Sequence, residues 1–133
     1  MPAALVAILL VLVLSVFPAL AGYLCRRHLA AAGLPGLLLV LPAGWVLAEW
    51  LRGRLFTGFP WLDIGASQIN SPLAGYLPVL GEYGVTWLVG LCAGLLLAIM
   101  ANRQRMISAG LLAALLAGGY LLEQVAWTTP RGE

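Results

Sequence analysis

Hydrophobic positions in this chain come in long unbroken stretches separated by short polar breaks. Ala3–Leu24 is the first stretch, about 22 residues without a charge, enough to cross about 30 Å of hydrocarbon as a helix. The second runs from Leu34 to Leu51 and carries Pro42 and Glu49. The third, Tyr83–Ala101, is again uncharged and about 19 residues long; the fourth, Ile107–Leu122, has about 16 and is rich in Leu, Ala and Gly. The pattern predicts an all-α fold: a polytopic bundle of about four transmembrane helices, one partial transmembrane domain over 1–133. Its expected spans are 3–24, 34–51, 83–101 and 107–122, with an irregular interfacial or re-entrant loop at 52–82 and an exit linker at 123–133. Gly110, Ala114 and Gly118 recur at four-residue spacing, which suits close helix contact in lipid and equally suits a plain lipid-facing stretch.

Composition supports the membrane reading. Hydrophobic residues make up 62% and charged residues 9% of the chain, against about 45–50% and about 25% in soluble domains. So small a globule could not bury that much apolar surface, whereas lipid solvates it directly. All seven cationic residues are Arg, there is no Lys, and a net charge of +2 does not point to nucleic acid. The arginines cluster between the apolar stretches, where loop charges of membrane proteins belong.

Those clusters predict an orientation. Cys25-Arg26-Arg27-His28 joins spans one and two, and Asn102-Arg103-Gln104-Arg105 joins spans three and four. The positive-inside rule places both on the cytoplasmic side. The N-terminus, the 52–82 connector and the C-terminus then lie outside, with Arg52 and Arg54 offset locally by Glu49, Asp63 and Glu82. Ala19-Leu20-Ala21 resembles a signal-peptide cleavage site. However, no positive residue precedes the stretch and Arg26-Arg27 follows it, so it is read as an anchor. Cys25 and Cys92 fall at different depths in this topology, so a disulfide is not expected, and neither has metal-ligand spacing.

Chemistry-bearing residues gather between Trp45 and Gln68. Trp45, Glu49 and Arg52 share one helix face. Ionisable groups in a membrane helix are costly unless paired or wetted, which leaves two readings of Glu49 and Arg52. They form a structural ion pair near the outer interface, or they anchor a lipid headgroup or a neighbouring domain. Thr57-Gly58-Phe59-Pro60-Trp61 then breaks the helix through Pro60 and Gly58, as an interfacial turn or as a re-entrant element admitting lipid from the outer leaflet. Glu82 suits the N-terminal end of the third span, where it faces the positive pole of the helix dipole.

From Pro42 to Leu80 the sequence resembles apolipoprotein N-acyltransferase, a family of the bacterial inner membrane. The resemblance rests on Glu49-Trp50-Leu51-Arg52-Gly53, Thr57-Gly58-Phe59-Pro60-Trp61, Gly65-Ala66-Ser67-Gln68-Ile69, Pro72-Leu73 and Gly81, while the flanks agree in hydropathy. It implies a whole protein of eight membrane helices with a periplasmic nitrilase-like domain inserted before the last. That protein moves an acyl chain from a phospholipid to the N-terminal diacylglyceryl-cysteine of an apolipoprotein, through a thioester on a catalytic Cys. A Glu acts as base and a Lys holds the oxyanion. It also implies the partners, phospholipid as acyl donor and apolipoprotein, and no cofactor or metal.

The catalytic trio does not carry over to this chain, which has no Lys and whose two Cys lie in or beside membrane spans. The chain is therefore expected to be an inactive fragment of the membrane domain, multi-pass, with both ends periplasmic. Candidate lipid-facing or domain-anchoring residues are Glu49, Arg52, Thr57, Gly58, Phe59, Pro60, Trp61 and Gln68; no catalytic residue is assigned. The alternatives are a non-enzymatic membrane scaffold or carrier, or the membrane module of a polyprenyl-phosphate glycosyltransferase fusion.

Overall fold

The computed structural model describes residues 2–55 and 63–127, without the side chains of 2 and 28–32. The described residues are mostly helical, with no strand among them, and four helical stretches are long and apolar enough to cross a membrane: Ala3–Arg27, Gly33–Arg54, Pro72–Met100 and Arg105–Glu123. Met1–Trp61 and Leu62–Glu133 form two compact units.

The first unit is an antiparallel helix pair. Helix α1, Pro2–Pro35, is interrupted at Gly33, whose φ of 57° and ψ of −134° reverse the chain in a conformation that a Cβ would strain. A π-helical turn, Gly36–Val40, leads into α2, Leu41–Arg54. Pro42 has no N–H for the carbonyl one turn earlier, and the wider turn accommodates it: Leu41 N–H donates to Gly36 O. The Cys25 thiol lies 3.7 Å from Val40 O and 3.9 Å from Leu41 O, so it donates to carbonyls at this irregularity. The helices approach closely there; a Cβ on Gly44 would stand 2.8 Å from Cys25 Sγ.

The first half of α1 extends past the end of its partner. Leu5, Val6, Ile8, Leu9, Val11 and Leu12 are all exposed, Leu5 by 68%. Removing each such side chain from water is worth about 1.5–3 kcal/mol, so this sleeve is stable only under lipid or protein cover.

The second unit packs two membrane-length helices and a short turn. Two 3-10 turns, Ala66–Gln68 and Pro72–Tyr76, precede α3, Leu77–Met100. Ser71 caps the second turn, its Oγ accepting from Leu73 N–H at 3.2 Å. The hydrophobic pattern starts the third span at Tyr83, but helical structure begins earlier. Prolines cannot continue a helix but start one readily, and Pro72 and Pro78 each stand in a first helical turn. Gly81, with φ of 69°, interrupts α3, so Glu82 opens its longer uninterrupted part.

Helix α3 ends in a Schellman motif with Asn102 in the left-handed position (φ 53°): Asn102 N–H donates to Ile99 O and Arg103 N–H to Ala98 O. Helix α4, Arg105–Glu123, returns along α3. Leu73, Val85 and Leu88 form the core of the unit, with Tyr76, Trp87 and Leu115 packed against them. Gly110 contacts nothing near its Cβ position; the close contact is made instead at Gly118 and Gly119, against the Pro72–Tyr76 turn.

A buried polar contact ties the connector to α3. Gly65 N–H donates to Thr86 Oγ1 at 2.9 Å, and Thr86 is 2% exposed. Thr86→Val keeps the shape and removes the acceptor, and leaving a buried donor unsatisfied costs about 1–3 kcal/mol. The expected result is a lower Tm for Thr86→Val in detergent and a near-native Tm for Thr86→Ser; equal melting of all three proteins contradicts it.

Candidate functional site

The polar residues that the second apolar stretch could not hide converge on one cavity of the first unit. Phe17 and Pro18 from α1 and Trp45, Ala48, Glu49 and Arg52 from α2 line a partly open space of about 110 Å³. Helical spacing puts Trp45, Glu49 and Arg52 on the same face, and Trp45 Nε1 donates to Glu49 Oε1 at 3.1 Å, one turn on. Glu49 is buried, only 4% exposed, whereas Arg52 is half-buried. Both take part in further interactions beyond this bond.

Such a group is expensive in lipid. An ionisable side chain at the centre of a membrane helix costs about 2.5–3.5 kcal/mol on insertion scales. The indole N–H compensates part of that cost, and it is itself satisfied by the carboxylate. On another side of α2 the Arg54 guanidinium stacks 5.1 Å from the centre of the Trp50 ring, a cation–π contact at an exposed position.

Of the candidate residues, the structure brings Glu49 and Arg52 together around this cavity. Gln68 lies in the other unit, ends the Ala66–Gln68 turn and donates through Nε2 to Ser67 Oγ at 3.0 Å. Thr57, Gly58, Phe59, Pro60 and Trp61 lie outside the described residues. Phe17 and Pro18 were not anticipated as lining residues. A proline inside an otherwise uniform apolar helix was the available signal, because it marks where the helix departs from regular packing. Asp63, 3% exposed, is a second buried carboxylate, in the second unit. Cys25 and Cys92 are both free thiols. Among the described residues no group of three or more His, Cys, Asp or Glu side chains could hold a metal ion.

Comparison with known proteins places this arrangement. Residues 1–95 match the sequence model of the apolipoprotein N-acyltransferase N-terminal domain. Apolipoprotein N-acyltransferase of Methylococcus capsulatus is 45% identical over 94% of this chain and 25% of its own length. Its namesake in Nitrosomonas europaea is 46% identical over 98% of this chain and 26% of its own. In Ralstonia nicotianae the figures are 42%, 90% and 23%. The chain thus spans about a quarter of the length of the curated relatives it matches. A match of that extent over four membrane-length helices means that the chain belongs to the apolipoprotein N-acyltransferase N-terminal domain family.

Proposed function

We propose that these residues are the membrane scaffold of an apolipoprotein N-acyltransferase, which transfers an acyl chain from a phospholipid to the N-terminal diacylglyceryl-cysteine of a lipoprotein. The observation that carries this reading is identity above 40% across nearly the whole chain to proteins of that name. The scaffold does not itself make or break the acyl bond. Residues 1–133 contain no Lys for the oxyanion, and both Cys lie within membrane-length helices. Its work is to hold the reacting domain at the outer leaflet and to present lipid to it. The arginine-bearing connectors at Arg26-Arg27 and Arg103–Arg105 face the cytoplasm, and both ends of the stretch emerge on the periplasmic side. Gln68 and the Thr57–Trp61 segment face lipid or anchor the reacting domain, and Glu49 and Arg52 offer lipid a polar contact within the helix pair.

A pair of complementation experiments tests this in cells depleted of their own acyltransferase. Residues 1–133 alone are expected to give no rescue. A chimera carrying this chain in place of the matching quarter of the Methylococcus capsulatus protein is expected to restore growth and triacylated lipoprotein. Rescue by the chain alone would overturn the division of labour. An inserted, stable chimera that leaves lipoproteins diacylated would overturn the assignment.

A further inference from the structure

We propose that the Trp45–Glu49–Arg52 cluster is a water-holding polar site near mid-depth of the hydrocarbon layer, not a group at its outer surface. The argument rests on α1 crossing the membrane and is independent of acyl transfer.

The register of the helix pair fixes the depth. Cys25 is level with Val40, Leu41 and Gly44, and Phe17 and Pro18 are level with Glu49 and Arg52. From Arg27, where the membrane-length span of α1 ends, to Pro18 is about 14 Å along the helix at about 1.5 Å per residue. From Pro18 to Ala3, the other end of that span, is about 22 Å. The cluster therefore lies within about 5 Å of the middle of the span, measured along α1.

The alternative placement puts Arg52 and Arg54 at the outer surface. Everything in α1 before about Val16 then stands in water, although Leu5, Val6, Leu9, Val11 and Leu12 are between 59% and 68% exposed. It also carries Arg26 and Arg27 into the hydrocarbon, because the two arginine pairs are separated along the helices by much less than the roughly 30 Å layer. Keeping the sleeve in lipid submerges Glu49, Arg52 and Arg54; the fold provides a cavity and an indole donor at the first two, and the Trp50 ring stacks on Arg54.

The cavity's contents follow from its chemistry. About 110 Å³ is several times the space one water needs, and among otherwise apolar lining the carboxylate and the guanidinium supply the hydrogen-bond partners that hold water there. Irregular or charged structure at membrane depth is tolerated where protein or water covers it. Leu55, at the end of α2, is thus still inside the layer, and the chain leaves the helix there rather than in the headgroups.

A nitroxide tests the depth. It is placed at exposed Leu47 (L47C, with Cys25→Ala and Cys92→Ala) in the whole chain in phosphatidylcholine vesicles. Collisions with oxygen are expected to dominate, and collisions with a water-soluble nickel chelate to fall several-fold below those of a label at Arg27. Nickel access equal to that at Arg27 overturns the placement. If the cysteine replacements prevent insertion, Trp45 is read instead as the sole tryptophan, the others being Phe. Quenching stronger by lipids brominated near the chain ends than near the headgroup supports the site, and the reverse order overturns it. Hydration is read by electron spin echo modulation in deuterated water from a label at Ala48. Modulation no greater than at Leu47 overturns the water-filled half of the proposal.

Discussion

Replacing Gly119 with leucine is expected to unseat the Pro72–Tyr76 turn from α4 and lower the stability of the second unit by about 3 kcal/mol or more, because overpacking a closed contact typically costs about 1–3 kcal/mol even where neighbours can shift. Here they cannot. The first carbon of any side chain at Gly119 meets the Pro72 carbonyl and the Tyr76 ring, and one at Gly75 meets the Gly119 carbonyl and the Glu123 amide. Backbone faces backbone on both sides, so no rotamer change relieves the clash. Tyr76 also donates from its hydroxyl to Leu115 O at 3.0 Å, a bond that holds only while the turn stays seated. Gly119→Leu and Gly75→Leu should each give a large fall in Tm in detergent. Gly110→Leu, on the same helix with nothing near its Cβ, should give a small change. Similar melting of the Gly119 and Gly110 variants would mean that the turn does not depend on this contact. The reason is one of membranes generally: lipid is as apolar as leucine, so close backbone approach and van der Waals contact do what hydrophobic burial does in water.

The second large effect is expected at Glu49. Glu49→Leu fits the apolar surroundings but leaves the Trp45 N–H without its acceptor, and an unsatisfied donor of this kind costs about 1–3 kcal/mol. Glu49→Gln keeps an oxygen for the indole and discards the charge. Stability should therefore follow the order wild type, Gln, Leu, with the Gln variant close to wild type. Under the proposed function, acyl transfer by a full-length protein carrying this chain should follow a different order. If the charge of Glu49 serves lipid or domain binding, both variants lose activity together, although only one loses stability. Full activity in Glu49→Gln would reduce the carboxylate to a hydrogen-bond acceptor. Trp45→Phe separates the roles further, removing the donor while leaving the carboxylate in its cavity.

Family membership and the Glu49–Arg52 cluster describe different parts of one design. In the proposed function lipid must reach the reacting domain, and a uniformly apolar bundle offers it no polar contact on the way. In the proposed reading, a mid-depth site holding Glu49 and Arg52 supplies such a contact while Arg54, stacked on Trp50, stays exposed. The cost of keeping ionisable groups in the membrane is the physical reason to expect them to serve function.

Much of this was legible in the chain itself. The number and approximate place of the membrane helices follow from run length, since about 20 apolar residues are needed to cross and few arrangements of this sequence provide them. The shared face of Trp45, Glu49 and Arg52 follows from helical period alone. Family resemblance could be read from ordered, unusual residues such as Glu49-Trp50-Leu51-Arg52-Gly53. What tertiary structure alone decided is register. Whether the close contact of α4 falls at Gly118–Gly119 or at Gly110 depends on where the Pro72–Tyr76 turn lies, and hydropathy carries no record of that. The same holds for Glu49. Its position in the sequence, near the end of an apolar run, suggests a surface; its partner across the helix pair is Pro18, deep within another run. A run length measures how far one helix can reach, but only the packing of two helices states how far along one the other stops.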